Sequence, residues 1–192
     1  MVIVGTIRLK TFIAIGTLSA LVISAFGSVL YSRHVKMAAA YTPIVGTIVA
    51  GDKAALFDLQ TTAGPLEMAE VRGPILLEIF ATWCPHCQRE TKVVDRLYSQ
   101  YGRRVAIVGV SGHSLAADES SDESLADILA FKSKFAVTYP LAFDPSLGVA
   151  KKYLKGGYPT FVLIDRRKRV AYLDSGELPY DKLSRAIIKA LK

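Results

Sequence analysis

The sequence predicts an α/β domain built around a mixed β-sheet and preceded by one transmembrane helix. Three observations support this fold class. Residues 11–32 carry no charged side chain. Two nearly continuous apolar segments, residues 75–80 and 105–110, lie on either side of a helical pattern, as expected of buried neighbouring strands joined by a helix. After a helical insertion the chain ends in a strand, strand, helix pattern, which completes a sheet with helices packed on it.

The uncharged N-terminal segment, TFIAIGTLSALVISAFGSVLYS, is long enough to cross a bilayer. A helix of this length spans about 33 Å at about 1.5 Å per residue, against an apolar core of about 30 Å. Basic residues flank both ends almost equally, so charge hardly favours either orientation. A cleaved signal peptide with Ala38-Ala39-Ala40 at its processing site is the alternative, but the apolar run is longer than such a peptide requires.

We therefore expect an uncleaved, single-pass anchor. The predicted organisation has four parts: a short N-terminal tail at 1–10, the anchor at 11–32, a tether at 33–52 and a folded domain at 53–192.

Composition and charge exclude several function classes. The chain has 192 residues, 51% hydrophobic and 21% charged, which is not the composition of a disordered protein. Four of the basic residues behind the net charge of +7 lie in residues 1–40, which have no acid. The folded domain thus lacks the basic excess of a nucleic-acid-binding protein. Two cysteines exclude a disulfide-rich scaffold and a four-cysteine zinc site, and we expect no metal and no cofactor.

The first half of the domain is predicted to contain a short strand pair, a core strand and a helix. Residues 56–59 form the first strand and Leu66 lies in the second, with a turn around Gly64-Pro65. ILLEIF at 75–80 is the core strand. The helical pattern after Cys84 ends at Gly102. Its apolar positions recur at three-to-four spacing: Val93, Val94, Leu97, Tyr98 and Tyr101.

The second half begins with a helical insertion. Residues 114–127 contain five acids and no base, which we interpret as a solvated loop that leads into a helix. Ser120 and Glu123 fit a capping box, and a short helix follows near 147–154. The predicted buried face of the insertion helix consists of Leu125, Ile128, Leu129 and Phe131.

The last three elements close the sheet. Two strands, 161–164 and 170–173, are joined by a basic turn, Arg166 to Arg169, which we interpret as a solvent-exposed hairpin tip. An amphipathic helix at 180–191 ends the domain.

Both cysteines lie in one motif, Trp83-Cys84-Pro85-His86-Cys87, between the core strand and the helix. Pro85 fits the first helical position, where its missing N–H costs nothing. The helix dipole and free backbone N–H groups favour a thiolate at Cys84. Cys87, one turn later, is predicted on the same face and more shielded, so the two can form a reversible disulfide with Cys84 as attacking thiol.

Two ionisable residues are predicted to tune this pair. His86, as an imidazolium, would stabilise the Cys84 thiolate and so make the disulfide more oxidising. Glu78 is a carboxylic acid inside an apolar strand, where burial raises its pKa. It could come close behind the cysteine helix and serve as general base for Cys87.

The segment Gly156-Gly157-Tyr158-Pro159-Thr160 precedes a strand, a position that proline tolerates. A trans peptide bond is the default here. If the bond is cis, the Tyr158 backbone is available to an extended client chain. Trp83 and Pro85, on either side of Cys84, are further candidates for client binding.

These elements together resemble the thioredoxin superfamily: the ILLEIFATWCPHC junction, the GGYPT segment and the terminal strand, strand, helix. Within it the chain resembles the membrane-anchored TlpA/ResA-like thiol-disulfide oxidoreductases, in its anchor, its first strand pair and its insertion. The resemblance covers about residues 53–192. The Pro85-His86 dipeptide instead resembles DsbA, a disulfide donor.

The resemblance implies a thioredoxin-like fold and roles for individual residues. Cys84 would be the nucleophile, Cys87 the resolving thiol and Pro159 a cis-proline that faces the Cys84–Cys87 disulfide. Glu78 falls where thioredoxins and DsbA-like proteins carry a buried acid.

The resulting hypothesis is a membrane-anchored thiol:disulfide oxidoreductase on the extracytoplasmic, periplasmic side of the cell membrane. Its partners would be protein thiol or disulfide clients and a membrane redox protein. Reduction in cytochrome c maturation and DsbA-like disulfide donation both remain open as directions. Two alternatives are a Cu(I) metallochaperone that uses the cysteines with His86 or His113 and a thiol peroxidase, which would need a cysteine in a different loop context.

Overall fold

The computed structural model describes residues 46–192 of the 192-residue chain. The predicted tail, the anchor at 11–32 and the tether up to residue 45 lie outside the described residues. Within 46–192, no helix combines the length and the apolar character that crossing a membrane requires.

Seven strands of the described residues form one sheet, which is mixed as predicted. In chain order they are β1 (Asp58–Thr61), β2 (Gly64–Glu67), β3 (Ile75–Phe80), β4 (Ala106–Ser111), β5 (Leu141–Ala142), β6 (Thr160–Ile164) and β7 (Val170–Ser175). The spatial order is β2-β1-β5-β4-β3-β6-β7. β3, β4 and β5 are parallel neighbours, and the remaining pairs are antiparallel. β3 therefore lies inside the sheet, where a continuous apolar run is expected.

Helices cover both faces of the sheet. They are α1 (Pro85–Tyr101), α2 (Leu125–Lys134), α3 (Gly148–Tyr153) and α4 (Tyr180–Leu191). The core on one face unites buried residues of α1, α2 and α4, whereas the core on the other face includes those of α3. The inner strands β3, β4, β5 and β6 each contribute to both cores because successive side chains point to opposite faces.

This alternation decides where Glu78 points. All six residues of β3 are buried. Leu76 and Phe80 belong to the core under α1, and Ile75, Leu77 and Ile79 belong to the opposite core. Glu78 shares its face with Leu76 and Phe80. The carboxyl group is thereby directed toward the helix that carries Cys87.

The insertion contains the main corrections to the predicted elements. The capping box of α2 is formed by Ser124 and Asp127, not by Ser120 and Glu123, because Glu123 is buried elsewhere. Ile128 is buried as predicted, but Leu125 and Leu129 are 53% and 49% exposed. The helix rotates these two leucines outward because the core contacts on this face are made by Ile128 and Phe131.

Two short strands also differ from their predicted positions. Gly64 and Pro65 lie inside β2 and pair with β1, so the turn is at residues 62–63 rather than at Gly64-Pro65. The two-residue strand β5 was not predicted, since two residues are too few for a periodic signal.

The chain enters the domain along its edge. Gly46 and Ile48 donate backbone hydrogen bonds to Leu154 and Lys152, and Gly51 donates one to Val170. The basic turn contributes here too. Lys168 Nζ donates to the carbonyls of Met68 and Val71, so this part of the turn is held against the domain.

Candidate active site

The cysteine motif adopts the predicted strand-to-helix geometry. Cys84 is the N-cap residue of α1, with extended backbone angles, and Pro85 occupies the first helical turn. Both cysteines are free thiols and both are buried, Cys87 completely and Cys84 with 4% exposed. Pro85 and His86 are exposed. The motif thus presents its dipeptide to solvent and keeps Cys87 behind Cys84.

The two thiols have opposite acidities. The pKa of Cys84 is lowered from 9.0 to about 6, first by a hydrogen bond from the Cys87 thiol, then by backbone hydrogen bonds from residues 87 and 86. The charge of His86 contributes least among these favourable causes. Burial raises the pKa of Cys87 well above its ordinary value, and the nearby Glu78 adds to this rise. At neutral pH Cys84 is therefore a thiolate and Cys87 a thiol.

Glu78 lies buried beneath this pair. Its Oε2 accepts a hydrogen bond of 2.6 Å from the hydroxyl of Tyr139, while Oε1 has no hydrogen-bond partner among the described residues. Burial raises the pKa of Glu78 to about 8, although the bond from Tyr139 opposes the rise. The group is mostly neutral at pH 7 and close enough to its pKa to exchange a proton.

The Tyr158–Pro159 peptide bond is cis. The expectation of a trans peptide bond is therefore wrong at this position. Pro159 is the cis-proline that the family resemblance implies. The Cys84 sulfur lies 3.7 Å from the Tyr158 carbonyl oxygen, to which it donates a hydrogen bond when the thiol is protonated. Pro159 is buried and Tyr158 is half-buried. The predicted client-binding backbone thus faces the predicted nucleophile.

Trp83 and Tyr158 belong to an aromatic cluster that also contains His113. The three rings are mutually edge-on, with centroids 5.1 to 6.0 Å apart. His113 Nδ1 accepts hydrogen bonds from Trp83 Nε1 at 3.2 Å and from the Leu115 amide at 3.0 Å. Because Nδ1 is an acceptor twice, the ring is neutral with its proton on Nε2. His113, which the sequence suggested only as a ligand in the Cu(I) alternative, orients the Trp83 side chain next to Cys84.

Glu123 is a second buried acid that sequence reasoning missed. Its Oε1 accepts a 2.9 Å hydrogen bond from Thr82, two residues before Cys84, and its Oε2 accepts one from Ser111 at the end of β4. Burial raises its pKa to about 7. Sequence analysis did not single out Glu123 because it lies among the five acids of residues 114–127, which were interpreted as a solvated loop.

Glu90 is a third buried acid, on α1 itself. It is 3% exposed and accepts a 3.2 Å hydrogen bond from the Leu178 amide. Burial raises its pKa to about 7. A signal for it was present: position 90 is three residues after Cys87 and four before Val94, which places it on the buried stripe of the helix.

His86 does not face Cys84 alone. Its Nδ1 lies 2.5 Å from Oε1 of Glu177, a residue between β7 and α4. Arg89 contacts both partners. His86 therefore interacts with the Glu177 carboxylate as well as with the Cys84 thiolate that it is predicted to stabilise.

The arrangement is suited to reversible dithiol chemistry. It combines a stabilised thiolate, a shielded second thiol three residues later, a buried carboxyl group beneath them and a free backbone segment in front. Within residues 46–192 there is no cluster of three or more His, Cys, Asp or Glu side chains placed to hold a metal ion.

Comparison with known proteins gives a consistent picture. The model of the AhpC/TSA family matches residues 50–173. The thioredoxin-like protein YneN of Bacillus subtilis strain 168 is 28% identical over 119 residues, which cover 61% of this chain and 66% of YneN. The thiol-disulfide oxidoreductase ResA of Halalkalibacterium halodurans is 26% identical over 130 residues, covering 66% and 69%. The chain thus spans about two thirds of the length of these relatives.

Solved structures confirm the thioredoxin-like fold. A Chlorobium tepidum crystal structure described as a thiol:disulfide interchange protein DsbE superposes with a TM-score of 0.64 at 25% identity, covering 76% of this chain and all of the other. StoA from Bacillus subtilis superposes with a TM-score of 0.58 at 19% identity, covering 75% and 98%. At that identity the likeness to StoA concerns the fold alone.

Proposed function

The chain belongs to the AhpC/TSA family, its resemblance to the TlpA/ResA-like group is confirmed, and from this premise we propose that it is an extracytoplasmic, membrane-anchored thiol:disulfide oxidoreductase that reduces client disulfides. One observation carries the proposal. Cys84 at the N-cap of α1 has a lowered pKa of about 6, while Cys87 behind it is a buried thiol. Such a pair attacks one disulfide and then resolves the product.

The first step uses the Cys84 thiolate. It attacks one sulfur of the client disulfide, forms a mixed disulfide with that sulfur and releases the other client sulfur as a thiolate. The cis Tyr158–Pro159 segment opposite Cys84 offers its backbone to the client chain. Trp83, held by His113, and the exposed Pro85 border the same opening.

The second step needs a thiolate at Cys87. Its proton passes to Glu78 in the minority of molecules in which that carboxyl group is ionised at pH 7, and with a pKa of about 8 the ionised fraction grows as pH rises. The Cys87 thiolate then attacks Cys84, the Cys84–Cys87 disulfide forms, and the client leaves with two electrons more than it brought. A membrane redox partner returns two electrons to the cysteine pair.

The direction toward reduction is supported by the surroundings of His86. In a strongly oxidising site the histidine charge stabilises the thiolate and hence the reduced form. Here the ring binds Glu177, and the Cys87 thiol is the main cause of the low Cys84 pKa.

The compartment and the client belong to the same proposal. The uncharged segment at 11–32 supports a membrane anchor, and an active disulfide cycle is expected outside the cytoplasm. As client we propose a cytochrome c precursor, whose Cys-x-x-Cys-His haem-attachment sequence must be reduced before haem is joined to it.

Trapping the mixed disulfide tests the mechanism. With Cys87→Ser, a peptide that carries an oxidised Cys-x-x-Cys-His sequence should remain attached to Cys84 until a reducing agent is added. Cys84→Ser is the matched control and should capture nothing. A folded Cys87→Ser protein that never captures the peptide would contradict the proposed function.

A further inference from the structure

An exposed ion cluster lies beside the cysteine motif. Glu177, from the segment between β7 and α4, reaches the first turn of α1. Its Oε1 is 2.5 Å from Nδ1 of His86, and Nε of Arg89 lies 3.1 and 3.3 Å from its two oxygens. Nη2 of Arg89 contacts Glu177 and is 2.9 Å from His86 Nδ1. One carboxylate thus binds both the His86 ring and the Arg89 guanidinium next to Cys84.

The cluster and the thiolate influence each other. The charges of Arg89 and Cys84 interact favourably, as do those of His86 and Cys84. Glu177 opposes both interactions because its negatively charged carboxylate contacts both side chains. Glu90 is buried behind this turn, and the negative charge of Glu177 contributes to its raised pKa. The other titratable group that interacts with the cluster is Cys84.

We propose that Glu177 is a positioning residue that makes the Cys84–Cys87 couple less oxidising, by holding His86 and Arg89 and offsetting their charge. The inference rests on the proposed function and deepens it. Only the reduced state contains a thiolate at Cys84, since both sulfurs are neutral in the disulfide. A nearby positive charge therefore favours the reduced state, and a carboxylate that offsets this charge favours the disulfide.

The sign of the effect of Glu177→Gln follows from charge counting. The substitution removes one negative charge, and the protons that neighbouring groups such as Glu90 release in response offset this change only in part. The net positive charge near Cys84 consequently rises or stays constant at every pH, and it never falls. Arg89, whose guanidinium stays charged at every pH of interest, loses its partner in the variant.

The experiment is a redox equilibrium of the full chain with glutathione at pH 8, in which the disulfide takes two electrons and two protons from two glutathione molecules. For Glu177→Gln we expect the equilibrium to shift at least threefold toward the dithiol, which corresponds to about 14 mV at 29.6 mV per tenfold. Alkylation of Cys84 should also persist to lower pH than in the unmodified protein.

Two further variants make the test specific. Asp181→Asn, in the first turn of α4, removes the same charge from an exposed residue outside the cluster and should leave the equilibrium unchanged. In a His86→Gln/Arg89→Gln background, the added Glu177→Gln change should have less than half its original effect, because the cations that it releases are gone.

Each result has a definite meaning. A reversible couple that Glu177→Gln leaves unchanged would overturn this inference and leave the proposed function standing. An undiminished shift in the background without both cations would also overturn it, since Glu177 would then act through its own charge alone. The absence of any reversible couple in the unmodified protein would overturn the proposed function and this inference together.

Discussion

At the scale of single residues, the site depends on how differently two identical side chains are placed. Cys84 ends a strand connection and begins a helix, where hydrogen-bond donors surround its sulfur. Cys87 lies one turn inside, fully buried, above Glu78. The spacing that brings the two thiols together therefore lowers the pKa of Cys84 and raises the pKa of Cys87.

The acidity of Cys84 should depend on Cys87 more than on His86. Cys87→Ala removes the thiol that donates to Cys84, so we expect the Cys84 pKa to rise clearly above about 6. Cys87→Ser keeps a donor and should raise it less. His86→Ala should change it least, because the charge of His86 is a minor cause. The pH dependence of iodoacetamide alkylation measures all three, and a larger effect of His86→Ala than of Cys87→Ala would refute this order.

Glu78→Gln should slow resolution of the mixed disulfide without slowing its formation. The amide still accepts from Tyr139 but cannot take the proton of Cys87. General-base catalysis is typically worth at least about 100-fold, so a loss of about 100-fold is expected in the second step. Rapid-mixing kinetics with a model disulfide separates the steps. Equal resolution rates at pH 7 for the two proteins would remove Glu78 from the mechanism.

At the scale of elements, sequence reasoning succeeded where a pattern is long or chemically distinctive. The core strand at 75–80, the helix that ends before Gly102 and the final helix at 180–191 were predicted almost to the residue. Buried strands and amphipathic helices leave periodic signals over many positions. The cysteine motif was equally readable, because proline and the change from strand to helix pattern coincide there.

The insertion was less predictable for a physical reason. Ser120 and Glu123 have the spacing of a capping box, and so do Ser124 and Asp127. The choice between them depends on Glu123, which contacts Thr82 across 41 residues of sequence. Likewise, Glu177 contacts His86, which lies 91 residues earlier in the sequence. Contacts of such separation leave no local pattern, so these parts of the site could not be predicted from sequence.

Ser124→Ala should therefore destabilise α2, whereas Ser120→Ala should not. The Ser124 hydroxyl accepts from the Asp127 amide, and loss of such a cap typically costs about 1 kcal/mol. Ser120 lies in the exposed loop, where substitutions usually stay within about 0.5 kcal/mol. Urea unfolding of both variants decides between the two capping boxes, and equal stabilities would contradict the assignment to Ser124.

At the scale of the whole molecule, three buried acids gather around one helix. Glu78, Glu90 and Glu123 lie beneath α1, within it and beside its first turn, and burial raises the pKa of each from 4.5 to about 7 or 8. Ionisable groups with raised pKa values often accompany catalytic function. The site therefore keeps Glu78 mostly protonated at pH 7 and leaves Glu90 and Glu123 only partly ionised, while Cys84 is a thiolate.

This concentration of acids should make the reduced protein lose stability as pH rises. A raised pKa means that the folded state holds its protons more tightly than the unfolded state does. The stabilisation from these acids is complete below about pH 4.5 and is lost as pH rises through about 7 to 8. Glu78→Gln should flatten this decline, as measured by urea unfolding at pH 5, 6.5 and 8. An unchanged slope would show that Glu78 is not the titrating group.

The reduction potential of the full chain shows whether Cys84 and Cys87 form a redox couple and whether that couple favours reduction of clients. Trp83 is the only tryptophan and lies next to Cys84, so its fluorescence reports the redox state during titration with glutathione. We predict one reversible two-electron transition, absent in Cys84→Ser, with a potential nearer to that of thioredoxin, about −270 mV, than to that of DsbA, about −120 mV. A potential close to the DsbA value would identify a disulfide donor, and the lack of any reversible transition would contradict the oxidoreductase itself.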